Sequence, residues 1–218
     1  YPTEKHPFPT FIPEDCKYLM VGSFPPIKLT DKIIKNVEIE KVSEHYKIYS
    51  DNKRNHFTTE DIRFYYGSRD NLLWRKIIAP LYEISIDSKE DIIRFLIQNK
   101  LGITDFIETA SRRIVNNRVS SSDGDLVIHS TRNIKEMIQM GVIKTLFTTS
   151  DFVTQNLHDM IGSEDIEIIT LPSPSKSGSR QIGRDDEYKL FKKKKVVSNT
   201  IDYRILKYNE LLKNRIGC

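Results

Sequence analysis

Cysteine is nearly absent: the 218 residues hold two, Cys16 and Cys218. Two cysteines near opposite ends of a chain make no disulfide framework. They also fall short of the thiolates that a cysteine-built zinc or iron–sulfur site needs. The expectation is a protein without metal or cofactor, at home in a reducing compartment such as the cytoplasm. Histidine is scarce as well, and His6, His45, His56, His129 and His158 show neither HxH nor HxxxH spacing. No run of about 18 apolar residues occurs, so no membrane-spanning helix is expected. Tyr1 to Thr10 has three prolines and no apolar stretch of the signal-peptide kind. Phosphate loops of the GxxxxGK[ST] or GxGxxG type are missing, and so is a GxSxG nucleophile elbow.

What is present is an ordinary globular composition, 38% hydrophobic and 29% charged, with ten Tyr and ten Phe. A chain of this length buries a core without staples. One domain is expected over 1–218, carrying a charged insertion at about 28–63 and a basic C-terminal segment at about 176–218. The net charge of +4 is unevenly placed. Lys176 to Lys207 holds ten basic and four acidic residues, +6, which leaves −2 for the remainder. That imbalance suits a polyanionic partner, although a lysine run is more often a solvated face.

The apolar run Lys17 to Gly22 reads as a buried strand, and Ser23-Phe-Pro-Pro26 as a loop. A helix with Leu72, Leu73, Ile77, Ile78 and Leu81 on one stripe follows Asn71. Ser88 with Asp91 marks a second helix start. Gly102–Thr109 reads as a strand, Asp125–Met140 as a helix ended by Gly141, and Val142–Thr148 as a strand. Ser150 or Asp151 opens a helix that Gly162 stops, and Ile166–Leu171 is a fourth strand. A helix with Ile201, Ile205, Leu206, Leu211 and Leu212 lies near the end of the chain. Alternating strands and helices predict a three-layer α/β/α sandwich around a mostly parallel four-stranded sheet. Ligands of such sheets bind beyond the carboxyl ends of the strands. Here those ends lead into Gly22-Ser-Phe-Pro-Pro26, Thr109-Ala-Ser-Arg-Arg113, Thr148-Thr-Ser-Asp151 and Pro172-Ser-Pro-Ser175.

Each loop alone is weak, but four features taken in order resemble the uracil-DNA glycosylase superfamily. They are Gly22-Ser-Phe-Pro25 after a strand, Tyr65-Tyr66 followed by Arg69-Asp-Asn-Leu-Leu-Trp74, Gly102–Arg113 with the 121–126 segment after it, and Leu171-Pro-Ser-Pro-Ser175. The branch most similar is that of the hypoxanthine-DNA glycosylases and their bacterial relatives. The resemblance spans roughly residues 17–175. It implies a monofunctional base-excision enzyme, monomeric and free of cofactor. Such an enzyme flips a deaminated base (hypoxanthine, uracil or xanthine) out of DNA and hydrolyses its N-glycosidic bond.

Under that resemblance Phe24 or Tyr66 supplies an aromatic wall, and Asn71 reads the base edge, since an amide donates and accepts at once. Amides of the Gly22, Ser23 and Phe24 turn stabilise the departing base anion. Pro172, Ser173, Pro174, Ser175, Lys176 and Arg112 hold DNA phosphates, with Arg180 and the 192–195 lysines adding non-specific affinity. Bland alternatives stand beside these roles: core aromatics for Phe24 and Tyr66, a helix cap for Asn71, and a plain loop for 172–179. Two departures also count. The efficient uracil-specific branches place Asp or Asn where this chain has Phe24, and His where it has Leu171; Asp70 or Asp105 are the alternative carboxylates for holding water. The competing readings are a nucleic-acid binder of the same fold without turnover, and a nucleoside-cleaving enzyme that acts without DNA.

Overall fold

The computed structural model describes residues 3–33, 56–116, 118–120, 122–139, 143–162 and 165–217. Most of the charged 28–63 segment, Gly141, and parts of the 121–126 motif and the Val142–Thr148 strand lie outside the described residues.

Ten strands are described: β1 Thr3–Lys5, β2 Tyr18–Gly22, β3 Asp31–Ile33, β4 Leu101–Asp105, β5 Ile107–Arg112, β6 Ile114–Val115, β7 Arg118–Val119, β8 Leu126–Thr131, β9 Thr145–Thr148 and β10 Glu167–Thr170. The helices are α1 (a π-helical turn Leu73–Ile78 running into Ala79–Tyr82), α2 Lys89–Gln98, α3 Ile134–Gln139, α4 Asp151–Ile161, α5 Ser179–Ile182, α6 Asp186–Lys193 and α7 (Thr200–Tyr208, extended by turns to Ile216).

The central sheet has the order β10-β9-β2-β4 and all its pairs are parallel. Both of its faces are covered, which is why its strands read as apolar runs rather than as alternations. Met20, Ile103 and Phe147 pack on one side with Ile77, Phe95 and Tyr208 of α1, α2 and α7. Leu19, Val21 and Leu146 pack on the other with Ile134 and Leu157 of α3 and α4. The expected three layers are therefore present. Local signals explain the helix starts. Ser88 and Asp91 form a reciprocal capping box at α2, the Ser150 side chain accepts the Val153 amide at α4, and Asn199 accepts the Ile201 and Asp202 amides at α7. Gly162 stops α4 at φ 68°.

A second, antiparallel sheet, β3-β1-β5-β8, was not foreseen. Its strand β5 follows β4 after a single residue, Phe106, so what reads as one strand bends from one sheet into the other. The expected helix over 125–140 is corrected. Residues 126–131 form β8, whose β-branched Val127, Ile128 and Thr131 pair antiparallel with β5. Only after Asn133, whose Oδ1 accepts the Glu136 amide at 3.2 Å, does a helix begin. The basic segment likewise holds two short helices, α5 and α6, before α7.

Candidate functional site

In the central sheet β4 lies on one side of β2 and β9 on the other, so the strand order reverses at the β2–β9 pair. A crevice at such a reversal, beyond the carboxyl ends, is where α/β sheets bind ligands. The groups at these carboxyl ends are Gly22–Phe24 at the end of β2, Asp105 at the end of β4, Thr149 after β9 and Leu171–Ser175 after β10.

The first cluster gathers around Gly22. The Phe106 and Ile107 amides donate to the Gly22 and Ser23 carbonyls at 2.7 and 3.0 Å, which fastens this turn to the β4–β5 bend. Among the described residues no acceptor meets the Ser23 or Phe24 amide. A Cβ added at Gly22 would overlap the Tyr66 hydroxyl and the Asp105 carboxylate, so both groups stand directly against the turn. Tyr66 adopts φ 55°, rare for an aromatic residue, and its hydroxyl lies 3.1 Å from Thr149 Oγ1. Burial, reinforced by the Asp105 charge, pushes its phenol well above the usual value, so it stays protonated. Ser23 Oγ donates to Asp123 Oδ1 at 2.8 Å. The Asp123 carboxyl is raised above its usual range by burial, and the nearby Asp105 adds to that effect.

Asp105 is only 5% exposed, and its Oδ2 lies 2.9 Å from Nε2 of the equally buried His6. The Phe8 amide lies 3.1 Å from His6 Nδ1. The Phe8 carbonyl lies 3.0 Å from the same nitrogen, so one residue's backbone holds the far side of the ring. Phe24 is half-buried, its ring edge-on to His6 at 6.1 Å and covered by the Arg112 guanidinium at 5.3 Å.

The second cluster joins Asn71 to the serine loop. Asn71 and Ser175 form an isolated antiparallel bridge, and the Leu72 amide donates to the Pro174 carbonyl at 2.9 Å. Asn71 Oδ1 accepts the Leu73 amide at 2.9 Å, so its oxygen caps the start of α1. Lys176 Nζ reaches Asp70 Oδ1 at 3.0 Å, and Lys28 lies between Asp61 and Asp70 at 2.7 and 3.4 Å. Asp70 is thus held by two lysines, and its side chain is engaged with them rather than with Gly22. Trp74 donates its indole N–H to the Tyr65 carbonyl and is 2% exposed.

Gly22, Ser23, Phe24 and Tyr66 are brought together, and Asn71 is brought to Pro172–Lys176 at the same edge of the sheet. Arg112 is turned inward, away from solvent. It is 2% exposed, its Nε lies 3.0 Å from Glu4 Oε2, and one Nη donates to the Pro25 carbonyl. It supports the Ser23–Pro26 loop from below. Leu171 is buried, so the side chain that heads the serine loop is apolar. His6 and Asp123 were missed in the sequence, because no spacing rule links a residue of β1's trailing loop to one at the end of β4. Among the described residues no group of three or more His, Cys, Asp or Glu is placed to hold a metal ion, and no helix is long and apolar enough to cross a membrane.

No protein-family model and no curated protein matches this chain. Five solved chains match. One is the solution structure of a candidate uracil DNA glycosylase from Methanosarcina acetivorans, which aligns over 87% of this chain and 95% of that chain, with a TM-score of 0.47 and 16% sequence identity.

Proposed function

We propose that this protein is a monofunctional DNA base-excision glycosylase acting on a flipped deaminated base. The observation that carries this reading is the docking of Asn71 onto Ser175, with Gly22, Tyr66 and Asp105 packed together at the switch point of the same sheet. Asn71, a hydroxyl-rich loop and a polar cluster thereby lie beyond the carboxyl ends of one sheet, which supports base reading by the amide and phosphate binding by the loop. In the reaction a water oxygen bonds to C1′ as the C1′–N bond breaks, and the electron pair leaves with the base. The open Ser23 and Phe24 amides suit that developing negative charge. Asp105, oriented by His6, is assigned to hold the water and take its proton. The half-buried ring of Phe24 or Tyr66 serves as the stacking wall, and the Asn71 Nδ2 group, opposite the oxygen that caps α1, faces the base.

The test uses end-labelled oligonucleotides, each with one hypoxanthine, uracil, xanthine or mismatched thymine, single-stranded and paired, treated with alkali after incubation. Cleavage at one lesion that is lost in Asn71→Ala establishes the activity and names the base. Salt-sensitive DNA binding without cleavage at any lesion establishes the second reading, a binder without turnover. That reading is favoured by Leu171, a buried apolar side chain where the efficient branches have His.

A further inference from the structure

Among the described residues three arginines are fully or almost fully buried: Arg112, Arg132 and Arg204. Two are paired with carboxylates, Arg112 with Glu4 at 3.0 Å and Arg132 with Glu108 at 2.6 Å. Arg204, at 0% exposure, is different. Its Nε donates to the Ser173 carbonyl at 2.7 Å. One Nη donates to the Thr200 carbonyl at 3.1 Å and to Ser179 Oγ at 3.3 Å. The other donates to the Ser175 carbonyl at 2.9 Å and to Ser179 Oγ at 3.3 Å. Every N–H of the fork has an acceptor, and every acceptor is neutral. Among the described residues no carboxylate reaches it.

A guanidinium stays charged in proteins, and a buried charge without a counter-charge is costly. Burial lowers the Arg204 pKa from its usual value, which registers that cost. Two of the five contacts, those to the Ser173 and Ser175 carbonyls, go to one loop, whose outer side carries Ser173, Ser175 and Ser177, their hydroxyls linked at 2.9 and 3.0 Å. Ser175 Oγ also accepts the Gly178 amide at 3.0 Å, and a Cβ on Gly178 would press into Ser173. Lys176, the obvious cation of this loop, is already engaged by Asp70.

We propose that Arg204 is the positioning residue of a phosphodiester seat on the 172–178 loop, its uncompensated charge being completed by a bound backbone phosphate. This deepens the glycosylase reading and rests on it for the identity of the ligand as DNA. The fork sets the loop from below by holding the Ser173 and Ser175 carbonyls inward. Its charge, one peptide layer from the hydroxyls and away from bulk water, acts with little screening.

The experiment measures binding of an undamaged 20-base-pair duplex over a range of sodium chloride concentrations. It compares the wild type, Arg204→Gln and Arg204→Lys, with thermal denaturation of each. Arg204→Gln is expected to bind about tenfold more weakly at low salt, with the slope of log Kd on log[salt] reduced by roughly 1, the loss of one phosphate contact. Arg204→Lys, which keeps the charge but not the fork, is expected to keep the wild-type slope. Equal slopes for wild type and Arg204→Gln overturn the proposal and leave only a structural role. If Arg204→Gln does not fold, a reduced slope in Arg204→Lys overturns the proposal, and Ser173→Ala with Ser175→Ala tests the seat directly: duplex binding about tenfold weaker at low salt supports it and wild-type affinity overturns it. Lesion cleavage, assayed separately, keeps the two claims apart. A reduced slope without cleavage by the wild type retains the seat and removes the enzyme, and cleavage with equal slopes does the reverse.

Discussion

His6 Nε2 stands 2.9 Å from Asp105 Oδ2, although 99 residues separate the two in the chain. The contact links the loop after β1 to the last residue of β4, so the antiparallel sheet orients a carboxylate of the parallel sheet's crevice. An Asp buried at this depth stays in place because the imidazole partners it on one side and the β2 turn walls it on the other.

Replacing Asp105 by Asn keeps the shape and removes the base. Under the glycosylase reading the first-order cleavage rate of saturated enzyme falls about 100-fold, while DNA affinity stays within about threefold. Single-turnover kinetics with a binding isotherm check both; an unchanged rate removes Asp105 from the chemistry. His6→Ala leaves Asp105 without its partner. A loss of about 1–3 kcal/mol of stability is expected in urea denaturation, from the unmade buried hydrogen bond.

Glu4 and Arg112 make a sharper stability prediction. Both are almost wholly buried, and Thr30 Oγ1 also donates to Glu4 at 2.7 Å. Arg112→Met strands the Glu4 charge and should cost about 3–5 kcal/mol, whereas Glu4→Gln with Arg112→Met together should recover most of it. Because Arg112 lies under the Phe24 loop, the double variant should keep the salt dependence of DNA binding. A reduced salt slope would return Arg112 to the phosphate contacts expected from the sequence.

The pH behaviour of Asp123 follows from its surroundings. Burial, with the Asp105 charge beside it, raises its carboxyl above the ordinary 3.8, against the lowering effect of the Ser23 hydroxyl. The folded state therefore holds this proton more tightly than the unfolded state. Its contribution to stability is complete below pH 3.8 and is lost as pH rises through the folded value. Asp123→Asn, which still accepts from Ser23, should be more stable than wild type at neutral pH, and the gain should vanish in acid. Chemical denaturation across this range reads the difference. A variant less stable at pH 7 would mean that the carboxylate is held charged. A stabilising substitution beside the crevice is also what a site that gives up stability for chemistry shows.

The parallel sheet was legible because its strands are apolar runs between helix caps, and Ser88, Ser150 and Gly162 punctuate it as local rules require. The second sheet was not. Nothing between Asp105 and Ile107 announces that one strand leaves for another sheet, since the bend is stabilised by the Gly22 and Ser23 carbonyls far away in sequence. Residues 126–131 read as helix because apolar Leu126, Val127 and Ile128 precede a true helix; pairing with β5 decides their state. At the site, the loops that carry Gly22, Tyr66, Asn71 and Ser175 were visible as unusual sequence. The residues that hold them, His6, Asp123 and Arg204, look ordinary until the fold brings them close.

Gly22 is where both kinds of residue meet. Its neighbours cannot withdraw from an added methyl group: Tyr66 is tied to Thr149, and Asp105 to His6. Gly22→Ala must therefore displace one of these contacts or move the turn that presents the Ser23 and Phe24 amides. A loss of about 1–3 kcal/mol is expected from overpacking alone. Under the glycosylase reading, cleavage should fall by at least about 100-fold, because displaced oxyanion-type donors cost that much. Ser23→Ala is the control. It removes only the hydroxyl bond to Asp123, leaves the backbone of the turn in place, and should retain most of the cleavage rate. If Gly22→Ala folds and cleaves like the wild type, the turn held between Tyr66 and Asp105 is not where the base is released.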